Sequence, residues 1–155
     1  MIRRNDDRYQ EYDVKPDQEL YERLIEPIQD RMIAIVTRIT QDREDAQDVF
    51  QEVLAVIWRQ LRSIDRHANP QAYILRICVT CSYDALRKKA RRRREVRLER
   101  EVEAAKAVCR AEGDELAQCL SEAIALLPPK QGKAVFLRLI EGEDYTAIGE
   151  ILDCS

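Results

Sequence analysis

A chain of 155 residues with 45% apolar and 35% charged side chains has room for one sizeable core or two small ones, and its four glycines and five prolines leave long stretches free of breakers. Those stretches are apolar-periodic, which favours an all-α fold over a sheet. The formal charge of −3 would exclude a polyanion partner, but residues 61–100 carry twelve Lys/Arg against four Asp/Glu, a local +8, so the remainder sums to −11.

The opening run MIRRNDDRYQ has no apolar core of the kind a signal peptide needs, and residues 1–16 read as a polar tail. No apolar run approaches the roughly 20 residues of a membrane span. Five cysteines, an odd number, read as reduced thiols of a cytoplasmic protein rather than a disulfide framework. From about 17 to 40, Leu20, Leu24, Ile28, Met32, Ile35, Val36 and Ile39 recur at helical spacing, with a kink or restart expected near Pro27. Asp42 is an N-cap candidate for a second helix ending near Leu61, with Glu44 and Asp45 in the first turn, where the helix dipole favours them.

Asn69-Pro70 is the clearest start signal, a capping side chain followed by proline at the first helical position. The third helix runs from there into the arginines at 91–94. On it Tyr73, Arg76, Thr80, Asp84, Arg87 and Arg91 share one stripe. Ile74, Ile77, Cys78, Cys81 and Ala85 form a second, and Leu75, Val79 and Leu86 a third. Such a helix should be packed on two sides and show one basic, aromatic-bearing side to the outside. Residues 95–112 lack a sustained apolar stripe and read as a charged linker.

A smaller unit follows. Leu116, Cys119, Leu120, Ala123, Ile124 and Leu127 are expected to form its first buried face, closed by Pro128-Pro129. Val135, Phe136, Leu139 and Ile140 make a second face ended by Gly142, and Tyr145, Ile148 and Leu152 a third around 144–152.

The exposed stripe of the third helix carries the functional signal. Arginine and lysine neutralise phosphates, while aromatic rings stack on unpaired bases for about 1–3 kcal/mol each. A solvated charged face is the plainer alternative, and the tyrosines within the stripe argue against it. Cys78 and Cys81 have the spacing of a zinc or redox pair but lie among Ile74, Ile77 and Ala85, where core thiols are the better account. Neither a phosphate loop nor a nucleophile–base arrangement is present, so no enzyme, cofactor or metal site is expected.

Three segments carry a family resemblance. DREDAQDVFQEVLAVIWRQL (42–61) looks like the conserved region-two helix of the small extracytoplasmic-function (group IV) RNA polymerase sigma factors. NPQAYILRICVTCSYDALRKKARRRR (69–94) is similar to the adjoining helix that recognises and melts the minus-ten promoter element, and LPPKQGKAVFLRLIEGEDYTAIGEILDCS (127–155) resembles the start of region four. The resemblance implies a region-two domain over 17–94, a linker over 95–114 and a partial region four over 115–155, stopping at Ser155 where the recognition helix of a helix-turn-helix would begin.

It also implies roles. Asp45, Asp48, Gln51 and Glu52 would face the clamp helices of core RNA polymerase. The loop 62–69, with Arg66, His67 and Asn69, would form a pocket for a flipped promoter base, whose extrusion costs a few kcal/mol of stacking. Tyr73, Arg76, Thr80 and Tyr83 would meet the melted non-template strand of promoter DNA, with Arg87, Lys88, Lys89 and Arg91 to Arg94 attracting its phosphates. Thr80 stands where family members often carry Asn, and so can make fewer hydrogen bonds. An anti-sigma factor wedged between the two domains is a further expected partner. The rival readings are a regulator of duplex DNA, a polymerase-docking module unable to initiate, and a cysteine-based metal sensor.

Overall fold

The computed structural model describes residues 14–100 and 113–154, and every regular element among them is helical. In chain order these are α1 (Val14–Ile25), a 3-10 turn (Glu26–Ile28), α2 (Gln29–Thr40), α3 (Arg43–Asp65), α4 (Pro70–Arg100), α5 (Gly113–Ala125), α6 (Pro129–Leu139) and α7 (Tyr145–Leu152). The expected restart near Pro27 is the 3-10 turn. Proline lacks the N–H that a continuous helix would need there. The remainder of the expected N-terminal tail lies outside the described residues.

Helices α2, α3 and α4 pack on one another most extensively, and their shared seam is the main core. From α3 it takes Val49, Val53, Ile57, Leu61 and Ile64, spaced by three or four residues so that all fall on one face. Met32, Ile35, Val36 and Ile39 of α2 and Ile74, Leu75, Cys78 and Val79 of α4 close on them. Each such aliphatic side chain contributes about 1.5–3 kcal/mol when fully buried. A charge at Ile57, which is 0% exposed, would therefore break the bundle. Helix α1 lies along α3, with the Tyr21 and Trp58 rings 5.7 Å apart and Asp17 accepting from Arg62 at 3.0 Å.

The helix ends follow local chemistry. Gln41 leaves α2 in the left-handed conformation (φ 55°) and its N–H bonds the Thr37 carbonyl at 2.9 Å. Asp42 then caps α3, its carboxylate accepting from the N–H groups of Glu44 (2.9 Å) and Asp45 (3.0 Å). These bonds, reinforced by the Lys89 ammonium nearby, hold the Asp42 carboxyl below its ordinary range. Helix α3 outruns the expected end at Leu61 by four residues, because Ile64 also reaches the core. Helix α4 continues through the arginines to Arg100, into the segment expected to be linker; residues 101–112 lie outside the described ones.

Two expectations about burial need correction. The buried face of α5 is Ser121, Ile124 and Ala125, whereas Leu116 (65%) and Leu120 (54%) are exposed, as are Cys119 and Ala123. Small side chains let α5 approach α4 closely, and the leucines fall on the far side. In α6 the core residues are Phe136 and Leu137, while Leu139 is exposed; in α7 they are Ile148 and Ile151, while Tyr145 is exposed. The second correction concerns α4, whose expected outer side is covered over Arg76 to Tyr83 and open only at residues such as Asp84 and Arg91. Helices α5, α6 and α7 all pack against it, and Tyr83, expected at the edge of an exposed stripe, is 0% exposed.

Candidate nucleic-acid interface

The turn from α3 into α4 is built around Asn69. Its side-chain oxygen accepts from the Ala72 N–H at 3.0 Å, Pro70 occupies the first helical position, and its backbone N–H donates to His67 Nδ1 at 3.1 Å. The His67 ring is thereby set against Tyr73, centroids 5.0 Å apart and planes inclined by 60°. The Arg76 guanidinium lies over the Tyr73 ring at 4.5 Å, and the Tyr73 hydroxyl donates to Gln60 of α3 at 3.0 Å. Imidazole, phenol and guanidinium thus form one contact cluster, the imidazole tilted against the Tyr73 ring and the guanidinium over its face, tied in by main-chain and side-chain hydrogen bonds. Arg66, exposed at the end of α3, lies in the same loop.

Further along α4 the expected strand-facing residues are engaged within the protein. Thr80 Oγ1 accepts from Lys133 Nζ of α6 at 3.1 Å, and Arg76 is paired with Asp153 at 3.1 Å. The Tyr83 hydroxyl reaches the carbonyls of Ile124 and Leu127, both at 2.9 Å, and its ring meets Phe136 edge-on. Burial pushes the Tyr83 phenol up. Beyond Tyr83, Arg87 is half-buried, and Lys88, Arg91, Arg92 and Arg94 are exposed on the last turns. The expected set therefore falls into three parts: an aromatic–cationic cluster at the start of α4, a covered middle and a largely exposed cationic end in which Lys89 and Arg93 are paired with Asp45 and Glu122.

On α3, Asp48, Gln51 and Glu52 are exposed, one turn apart, and Asp45 is half-buried. Asp45 is tied to Lys89 of α4, which also lies 3.8 Å from Asp42. Asp45, Asp48 and Glu52 form the acidic wall of a cleft of about 540 Å³ whose other wall carries Asp84, Lys88, Lys89 and Arg92. An acidic row and a basic row thus stand side by side, a charge pattern that suits a partner presenting both signs.

Cys78 and Cys81 face the core, whereas Cys119 and Cys154 are exposed. Cys78 is fully buried and its thiol is pushed up to about 12, by burial and then by Cys81. Half-buried Cys81 is pushed up to about 11 by burial and by the carboxylates of Glu52 and Asp84. No group of three or more His, Cys, Asp and Glu among the described residues is placed to hold a metal ion. No helix among the described residues is long and apolar enough to cross a membrane.

Several residues that complete this surface have no periodic signal in the sequence. Arg31 bonds Glu143, Arg38 bonds Glu141 at 3.0 Å, Asn69 donates to Glu150 at 3.2 Å, and Arg93 pairs with Glu122 at 2.7 Å. Each joins positions far apart in the chain. Gly132, between Gln131 and Lys133, carries no mark in the sequence; in the fold it is where the Tyr83 ring lands. Compared with known protein families, residues 24–92 match the model of sigma-70 region 2, and residues 117–155 match that of sigma-70 region 4.

Proposed function

Because the chain belongs to the sigma-70 family, with the two regions that mark its extracytoplasmic-function (group IV) members and a role in transcription initiation, we propose that it binds core RNA polymerase through α3 and opens promoter DNA with α4. The observation that carries this reading is the division of labour within one rigid bundle. Asp48, Gln51 and Glu52 present carboxylates and an amide along α3, a surface suited to basic helices of a partner. Helix α4, locked to α3 through the core, carries Tyr73 and Arg76, set beside His67 of the preceding loop, and the cationic end Lys88–Arg94 on one element.

In mechanism, exposed Lys88, Arg91 and their neighbours attract the phosphates of the promoter, a sequence-independent step that weakens with salt. Bases that leave the duplex stack on Tyr73 or enter the loop holding Arg66, His67 and Asn69, which recovers part of the stacking energy lost on melting. Arg76 and Thr80, both half-buried, follow along the strand, with the Thr80 hydroxyl offering one donor and two acceptor sites for base edges, while the enclosed Tyr83 braces α4 from inside. The factor itself makes and breaks no covalent bond. An anti-sigma partner belongs to the same reading, as a protein that would separate or clamp the two regions.

The test is capture of core RNA polymerase by the intact chain beside a variant carrying Asp48→Arg and Gln51→Ala. Binding by the intact chain that the variant loses is the expected result. A folded intact chain that captures no polymerase at low salt refutes the proposal and leaves a duplex-DNA regulator as the better account.

A further inference from the structure

In the proposed function Tyr73 offers its ring to an unstacked base, and that ring is held from three separate segments. The Arg76 guanidinium lies over its face at 4.5 Å, the His67 imidazole stands 5.0 Å away, and its hydroxyl donates to Gln60 Oε1 at 3.0 Å. Arg76 and His67 belong to the surface that the same reading gives to DNA. A phosphate or base that engages either one can draw it off the ring. Gln60 has no such second duty. It holds the phenol by its tip, the point farthest from the Tyr73 backbone, where a single bond best resists rotation of the side chain.

Both ends of that bond rise from fixed backbone. Gln60 stands on α3 between Ile57 (0% exposed) and Leu61 (3%), and Tyr73 stands on α4 between Ala72 (6%) and Ile74 (0%). The core seam therefore holds the two helices in register without help from the bond, which is itself exposed to water. Water replaces an exposed hydrogen bond at small cost, so this one adds little to the fold. What it does constrain is the phenol. A free side chain gives up rotamers when a base settles on it, and a ring already held in place does not give them up again.

We infer that Gln60 is a positioning residue for strand capture: its side-chain carbonyl holds the Tyr73 phenol in the orientation that receives an unstacked base. This rests on the sigma reading and deepens it, since it gives a residue of α3, outside the strand-facing set, control of the ring on α4.

The experiment uses the full chain and a labelled oligothymidine carrying one 2-aminopurine. Anisotropy reads affinity, and the 2-aminopurine fluorescence, quenched by stacking, reads the base on the ring. Tyr73→Phe removes the donor and keeps the ring. Gln60→Leu removes the acceptor and keeps the bulk. Each should weaken binding about threefold to tenfold, the range set by immobilising one side chain, and should relieve the quenching. The double variant should bind no worse than the weaker single one, because both changes remove the same bond. Gln60→Glu supplies the rescue. It keeps an acceptor, so adding Tyr73→Phe to it should cost as much as adding Tyr73→Phe to wild type, and its extra charge cancels in that comparison. Melting temperatures should stay at the wild-type value throughout.

Losses that multiply in the double variant overturn the inference. So does a Gln60→Leu chain that binds and quenches like wild type, or one whose weaker binding comes with a lower melting temperature. Wild-type binding that Tyr73→Ala leaves unchanged overturns it too, since no base would then settle on the ring. Polymerase capture tests the sigma reading separately. Gln60 lies beyond the Asp48–Glu52 row on α3, so capture should persist in Gln60→Leu, and a wild-type chain that captures no polymerase counts against the sigma reading and not against the positioning of the ring.

Discussion

Tyr83→Phe removes one oxygen from the centre of the contact between the two units, and the size of its effect can be worked from the geometry. The hydroxyl lies 2.9 Å from both the Ile124 and the Leu127 carbonyls, at the end of α5, where helix carbonyls have no partner of their own within the helix. Ile124 O already accepts from the Leu127 N–H at 3.0 Å. Leu127 O is therefore the acceptor with most to lose, and Tyr83 serves α5 as a C-cap supplied by another helix. A net hydrogen bond contributes about 0.5–1.5 kcal/mol, and a buried carbonyl left without a donor costs about 1–3 kcal/mol. The phenyl ring keeps its volume and its edge-on contact with Phe136, so no cavity term is added. The expected loss is about 1–2 kcal/mol, a factor of about 5–30 in the docking equilibrium. Hydrogen exchange of the α7 amides is the assay. A helix of eight residues is not stable by itself, so its protection depends on the packing that holds it. Protection of 145–152 should fall by that factor in the variant while that of 53–61, inside α3, is unchanged. Equal protection of α7 in both proteins would show that the hydroxyl does not hold the second unit in place.

Two further outcomes follow from the titrating groups. Asp42 has its folded pKa depressed below the ordinary 3.8 by the Asp45 N–H and then by Lys89, so its stabilising effect is present above the unfolded value and is lost as pH falls through the folded one. The melting temperatures of wild type and Asp42→Asn, which keeps a capping side chain but no charge, should differ at neutral pH and converge on acidification below 3.8; a constant gap would discount the ionic part of the cap. Cysteine chemistry gives the other. Cys119 and Cys154 are exposed, whereas the Cys78 thiol, buried and raised to about 12, presents a thiolate fraction on the order of 10⁻⁵ at neutral pH. Iodoacetamide should label the exposed pair first and reach Cys78 only on unfolding; early labelling of Cys78 would mean that the α4 core opens readily.

The parts of the fold that were legible in the sequence are those set by neighbours in the chain. Asp42 and Asn69-Pro70 mark their helices because a cap is a contact over two or three residues. The seam of α2, α3 and α4 follows from apolar spacing. What stayed hidden depends on approach between distant segments. On α5 the count of leucines favours Leu116 and Leu120, but the face that packs is the one with small residues, Ser121 and Ala125. On α4, Tyr83 falls four residues after Val79 and three before Leu86, in register with the apolar stripe of Leu75, Val79 and Leu86. Its polar tip suggested an outward role, while its spacing already placed it inside. The acidic excess outside 61–100 was visible as a number, but its destination was not, since ion pairs such as Arg38–Glu141 leave no periodic trace.

The contacts that hold the second unit down differ in kind, and the difference bears on how it could be lifted. Arg76–Asp153 has a carboxylate that is 77% exposed, so water and salt screen it and its contribution is small. A phosphate arriving at Arg76 would displace that carboxylate at little cost. Glu141, by contrast, is 7% exposed beside Arg38, and Tyr83 is fully enclosed against Gly132 and Phe136. These two contacts lie away from the cationic end of α4, where a DNA strand would first arrive. Charge attraction can therefore bring DNA to Lys88 and Arg91 without dislodging the Tyr83 seat.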